Sequence, residues 1–442
     1  MEEKFLEKQI KMKINNIDIN ITKTNKYSNV IFNVYFLQNF SDNWKYLTYI
    51  GEVISKCNNK FTTTEAQCQE MYRLYGSIIF ASKVANYKTM GIKFTVDCLN
   101  EKIVNDNSLY DECFSSLKNM IYNPHTHVNK NGEIEFDLKD FNEAKNNCLN
   151  ELVNQANDKR KYSNMRFLKK MGSKDSFPLI LFQTISDVKR AKSVDAYNFY
   201  QDLINNSRVV ISAVGDIDED VINRFVKTID VKSRDIELEY EDNVVVQNPV
   251  RKRITEKADI KQAHIYLGYR TDIVYRSDLY PAYILFSIMF GELPSSTLFS
   301  KIREEQGLCY SVYSSVYPIR NFFYIYAGVE NKNIDIAIKS IKKELESYQR
   351  GLILDSSDRS NYEELLEASK KELKNEYINS LDSQSSILLN GMKDVIAKRR
   401  SMKELYEDSL KVTLEDIVIA SKHLYFDTTY VLRGEIGDEN GN

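Results

Sequence analysis

The chain repeats its own layout. The stretch SNVIFNVYFLQNFSDNWKYLTYIGEVI (28–54) is a strand-like alternation followed by a helical pattern, and KQAHIYLGYRTDIVYRSDLYPAYILFSIMFG (261–291) returns to it. The closing segments also match: SRVVISAVGDIDED (207–220) and DTTYVLRGEIGDEN (427–440) are short β-rich runs ending in Gly, an acid and Ile. Gly215 and Gly434 stand 219 positions apart in a chain of 442 residues, so two similar domains are expected. The polar stretch YEDNVVVQNPVRKRITEK (240–257), with Pro249, reads as the linker between a domain over 1–239 and one over 258–442.

Within each half the order is strand, helix, helix, hairpin strands, long helices and a closing strand. In TTTEAQCQEMYRLYG, Thr64 and Gln67 have capping-box spacing and Gly76 supplies a stop. The stretches 141–171 and 361–381 are rich in good helix formers and lack internal breakers. Strands and helices in segregated groups predict an α+β fold: two homologous α/β sandwich domains, each a mostly antiparallel sheet covered by helices.

Sixty basic and 63 acidic residues leave a formal net charge of −3, and no long run of one sign would track a phosphate backbone. Nucleic acid is therefore not an expected partner. No stretch of eighteen apolar residues occurs, and the scattered charges of MEEKFLEKQIKMKI do not suit a secretory signal, so a cytoplasmic protein without a membrane span is expected. Cys57, Cys68, Cys98, Cys113, Cys148 and Cys309 show no CxxC spacing and read as free, mostly buried thiols. No GxSxG elbow or phosphate-binding loop is present, and the acidic tip of SAVGDIDED lacks the remainder of a calcium loop.

The most informative segment is SSTLFSKIREEQGLCYSVYSS. Ser295 and Ser296 can cap a helix whose Leu298, Phe299 and Ile302 share a face, with Arg303 in its last turn and Gly307 at its end. LCYSVYSSVY and NFFYIYAGVE then alternate around Pro318 and Asn321 as a hairpin, so Tyr310 begins a sheet edge close to Arg303. A guanidinium and a phenol at such an edge can both donate to a peptide carbonyl. The bland alternative pairs Arg303 with Glu304, Glu305 or another surface acid and leaves Tyr310 to ordinary sheet packing.

This segment resembles the second-domain signature of the insulinase and pitrilysin metallopeptidase family, including its mitochondrial processing peptidase group. The likeness extends over nearly the whole chain, through EAQCQEMYRLYGSII, FNEAKNNCLNELVNQANDKRKYSNMRF and VTLEDIVIASKHLY. It implies clamshell-type pairing of the domains, and substrate-backbone binding by the residues matched here by Arg303 and Tyr310. Family enzymes hold zinc with His-x-x-Glu-His on a first-domain helix, where the metal lowers the pKa of its water to about 7.

Here Thr48, Gly51 and Glu52 fall in those three slots, to within about a residue of register, and Glu151 matches the downstream glutamate. Glycine cannot act as a base, and the remaining oxygens do not replace two imidazoles. The four histidines, at 125, 127, 264 and 423, make no such motif. His125 and His127 have the two-residue spacing that points side chains one way on a strand, but solvated or hydrogen-bonded roles are expected for them; His264 and His423 read as structural.

No catalytic residue, metal ligand or cofactor is thus expected in the chain. The resemblance implies a noncatalytic peptide-binding subunit, paired with a zinc-bearing homologous peptidase subunit or with itself, that holds unfolded peptide through Arg303 and Tyr310. Two alternatives stay open: a scaffold of the same fold with no part in hydrolysis, and a self-sufficient peptidase with unfamiliar ligands.

Overall fold

The computed structural model describes residues 8–85, 88–173, 183–239, 252–317, 320–355, 357–397 and 400–435. These form two compact units, and neither is continuous in sequence. One takes the described residues within 1–153, 182–240 and 381–398, and the other those within 154–181, 241–380 and 399–442.

The first unit is built on six strands: β1 (Gln9–Ile14), β2 (Ile17–Lys23), β3 (Asn29–Asn39), β4 (Ile78–Ala85), β5 (Thr89–Leu99) and, after the small hairpin β6 (Thr126–Val128) and β7 (Ile134–Phe136), β8 (Arg208–Gly215). Their order across the sheet is β1-β2-β8-β3-β5-β4, so β4 is an edge. Only β2 and β8 run parallel; the other pairs are antiparallel. β3 is buried along most of its length because both faces of the sheet are covered, which is why its sequence reads as a nearly unbroken apolar run. The helix Glu219–Ile229 shows the packing logic. Ile222, Phe225, Val226 and Ile229 recur at helical spacing, and Phe225 meets Phe32 of β3 with ring centroids 4.9 Å apart.

The second unit has β9 (Lys252–Ala258), β10 (Gln262–Thr271), β11 (Cys309–Tyr317), β12 (Phe322–Glu330) and β13 (Leu424–Gly434), ordered β11-β12-β10-β13-β9. Only β9 and β13 are parallel. The repetition seen in sequence is thus a repetition of topology: in both units the closing strand lies between the parallel opening strand and the next strand of the chain. Lys252–Lys257, which we expected as the end of the linker, belongs to β9, because these residues supply the row of backbone partners that β13 needs on its outer side. Positions 240–251 of that stretch, and Pro318 in the β11–β12 turn, lie outside the described residues.

Each sheet receives one helix from a distant part of the chain. The helix Lys159–Met171 lays Phe167, Leu168 and Met171 on the second sheet against Tyr266, Phe322, Tyr326, Tyr430 and Leu432. A Cβ at Gly268 of β10 would fall 2.6 Å from Met171 Sδ and 2.9 Å from the Phe167 ring, so glycine is what lets the helix approach. The helix Gln384–Ala397 places Leu388 and Met392 on the first sheet, among Ile31, Tyr35, Leu37, Val210 and Val214. Among the described residues no helix is long and apolar enough to cross a membrane.

Candidate functional site

The helix Leu47–Lys56 begins directly after a single turn at Asp42–Tyr46, and Leu47, Ile50, Val53 and Ile54 are buried on its inner face. This leaves Thr48 and Glu52 half-buried, one turn apart, at the positions where the resemblance requires imidazoles. Lys83 of β4 donates from Nζ to Thr48 Oγ1 at 3.1 Å, and Asn147 of the helix Leu138–Asn157 donates to a Glu52 carboxylate oxygen. Gly51 packs against β4, where a Cβ would sit 3.4 Å from the Ala81 carbonyl oxygen. Around the buried Cys148 thiol, whose pKa is raised first by burial, Glu151 and Glu52 add to the rise and Lys83 opposes it, which sets all three charges in one neighbourhood.

These residues do not fit a catalytic zinc ion. The set contains a hydroxyl, an amide and carboxylates with no imidazole in place of the two motif histidines, and the Thr48 hydroxyl is already engaged by the Lys83 ammonium group. Lys83 was invisible to sequence reasoning, because only the β4–β5 register brings it over the helix.

In the second unit, Leu298–Glu305 is a wide, π-type helix whose Leu298 and Ile302 are fully buried. Thr297, rather than Ser295 or Ser296, occupies its first boundary position, and no side-chain cap is made. Gly307 ends it as the spacing predicted, at φ +61, with its N–H bonded to the Arg303 carbonyl at 3.2 Å. Arg303 keeps its side chain 41% exposed, stacks over Phe299 at 4.5 Å from the ring centroid, and approaches Glu304 at 3.6 Å.

β11 is an edge strand, as the alternation implied. Its pairing with β12 steps from Cys309–Val329 to Ser311–Gly328, so Tyr310 is the extra residue of a bulge. A bulge turns its residue out of the ladder, and Tyr310 is 61% exposed, donating from its hydroxyl to Glu330 at 3.0 Å. That bond and the charge of Glu330 hold its phenol above the ordinary range.

The histidines take separate partners. His127 meets Glu135 at 3.2 Å across the β6–β7 hairpin, whereas His125 bonds Asp140 at 2.7 Å. His264 pairs with Tyr326 at 2.9 Å and His423 with Asp272 at 2.7 Å, both as side chains that hold structure together. Sequence reasoning missed Cys57, which lies 3.5 Å from His125 Nδ1 and donates to Asp140 Oδ2 at 3.1 Å. Burial, followed by the Asp140 carboxylate, pushes the Cys57 thiol up to about 12.

Two repeated α/β sandwich units, with no imidazole at the motif positions of the helix Leu47–Lys56, give the chain the double-sandwich fold of the metallopeptidase-like class. Residues 193–357 match the family described as Peptidase M16 inactive domain. Those residues form an M16-type (pitrilysin-family) inactive metallopeptidase domain, and the sequence lacks the His-x-x-Glu-His zinc-binding motif. It is 23% identical to a probable inactive metalloprotease of Bacillus subtilis, YmfF, over 97% of this chain and 98% of that one. In fold it is similar to a conserved protein from Enterococcus faecalis, with TM-score 0.86 and 21% identity over 98% of this chain and all of the other. A peptidase M16 inactive domain from Pseudomonas fluorescens aligns with TM-score 0.75 and 13% identity, over 98% and 99% of the two chains.

Proposed function

We propose that the chain is the noncatalytic, peptide-binding subunit of a two-chain zinc peptidase, in which a homologous partner carries the metal and this chain supplies Arg303 and Tyr310. What carries the reading is the bulge at Tyr310, which keeps a phenol exposed on an unpaired strand edge, a few residues beyond the exposed Arg303 guanidinium. Strand edges offer free N–H and C=O groups to an extended peptide. In the pair, Arg303 and Tyr310 donate to the scissile carbonyl and stabilise the negative charge that builds on its oxygen while the partner's zinc-bound water attacks. The six unbridged cysteines suit a reducing, cytoplasmic compartment.

The test is reconstitution with a homologue bearing the intact zinc motif. Peptide hydrolysis is expected to appear or rise sharply when this chain is added. Arg303→Ala combined with Tyr310→Phe is expected to lower kcat on the order of 10²-fold, the scale of losing transition-state donors, with the partner's zinc content unchanged. Full activity in the double variant would remove these two residues from the mechanism.

A second reading, a peptide-binding or structural scaffold, is favoured by the bond that Tyr310 already makes to Glu330. It predicts association with a homologue or a peptide without any change in hydrolysis rate.

A further inference from the structure

Cys57, His125 and Asp140 come from three separate places in the chain and converge on one point. Cys57 terminates the helix Leu47–Lys56, His125 stands just before β6, and Asp140 lies in the first turn of the helix Leu138–Asn157. Their Sγ, Nδ1 and carboxylate oxygen all lie within 4.8 Å of one another, with the thiol 2% and the aspartate 6% exposed. We propose that this cluster is a binding site for a zinc-like divalent ion, distinct from the lost peptidase centre.

The separations support this. Thiolate, imidazole and carboxylate bound tetrahedrally at about 2.3, 2.1 and 2.0 Å stand roughly 3.3–3.6 Å apart. The present distances are 3.5 Å for Cys57–His125, 3.1 Å for Cys57–Asp140 and 2.7 Å for His125–Asp140. An ion therefore needs the two contacts of Asp140 to open by roughly half an ångström, a small side-chain adjustment. A sulfur and an imidazole nitrogen beside one carboxylate select zinc or cobalt over magnesium or calcium, which prefer all-oxygen shells. Three protein ligands leave a fourth position for water.

The backbone around the cluster is stitched together before any ion arrives. Asn59 N–H bonds the Asn123 carbonyl at 2.9 Å, and Asn58 forms a bridge with Pro124, which fixes the chain after Cys57 to the chain before His125. Asp137 N–H bonds the His125 carbonyl at 3.0 Å, and the Asp137 carboxylate accepts from the Asp140 N–H at 3.2 Å. Lys56 holds the outer oxygen of Asp140 at 3.0 Å and also bonds Glu143 at 2.5 Å, an outer shell that orients the ligand carboxylate. With the thiol proton released to solvent on binding, one thiolate, two carboxylates and one ammonium leave two net negative charges, the complement of a divalent ion.

The inference does not depend on the partner reading. The experiment is titration of the metal-free full-length chain with Co2+ alone, followed by absorption spectroscopy. One equivalent is expected to produce a sulfur-to-cobalt charge-transfer band with the visible bands of tetrahedral cobalt. Cys57→Ser should abolish the charge-transfer band and His125→Gln should weaken binding at least tenfold, whereas Cys148→Ser and Glu52→Gln should leave both unchanged. Far-ultraviolet circular dichroism and Trp44 fluorescence check that the variants fold, and His125, less buried than Cys57, provides a variant if Cys57→Ser does not. Absence of the band in the unaltered chain, or its survival in Cys57→Ser, overturns the proposal and shows a hydrogen-bonded network only.

Discussion

Phe167 is the strongest probe of the way each sheet borrows a helix from the far side of the sequence. Its ring is fully buried, stacks on Tyr266 with centroids 5.0 Å apart at an interplanar angle of 15°, and lies over the bare backbone of Gly268. Phe167→Ala is expected to cost about 3–5 kcal/mol through lost burial and the cavity left behind, including roughly 1 kcal/mol for the aromatic pair. Gly268→Ala acts from the opposite side: its Cβ meets the same ring at 2.9 Å and Met171 Sδ at 2.6 Å, and should cost about 1–3 kcal/mol by overpacking. In the double variant the added methyl occupies space that the ring vacated. The two costs should therefore fall short of additivity by about 1–2 kcal/mol in a double-mutant cycle.

Urea denaturation followed by far-ultraviolet circular dichroism measures these costs. Trp44, the sole tryptophan, lies in the first unit and reports on that unit separately. Both single variants should bring forward the circular dichroism transition relative to the Trp44 transition. A cost below about 1 kcal/mol for Phe167→Ala, or strict additivity in the cycle, would refute the packing argument.

Other consequences are equally specific. The Glu256 carboxyl is held below its ordinary range, chiefly by the Arg166 guanidinium that bonds it. Its stabilising contribution is therefore full above the unfolded-state pKa and is lost as pH falls through the lower folded value; Arg166→Ala should flatten that acid limb in a stability-versus-pH series. Gly51→Ala should stabilise the chain by up to about 1 kcal/mol, because alanine favours the helix and the new methyl stands at ordinary contact distance from Ala81. Thermal denaturation showing a loss there would mean that the helix needs to lie closer to β4. The N-cap of the helix Thr64–Arg73 is Thr63, whose hydroxyl accepts from Ala66 N–H at 3.2 Å, so Thr63→Ala should cost about 1 kcal/mol and Thr64→Ala much less.

That last pair illustrates where local pattern stops. Three consecutive threonines, Thr62 to Thr64, stand at the start of the helix, each chemically able to cap it, and the sequence pattern sets the cap one position late, at Thr64. The observed choice depends on which residue takes extended backbone angles, and Thr63 does, at φ −131 and ψ 152. Gly307, by contrast, marks its helix end in the sequence because a helix end in the left-handed region has a strong residue preference of its own. Arg303 and Tyr310 are candidates that their segment suggests, whereas the bulge that turns Tyr310 outward follows from pairing with β12 and leaves no mark in the residues themselves.

Short-range order and the duplicated layout were thus written in the chain. Alternation, helical spacing, a glycine stop and the absence of His-x-x-Glu-His each depend on residues within a few turns of one another. Tertiary structure alone decided which helix covers which sheet, that Lys83 reaches Thr48, and that Cys57 meets His125 and Asp140 across separations of 68 and 83 residues. Such contacts arise from the register and packing of elements distant in sequence, where no local propensity acts, and so they become visible only when the chain is folded.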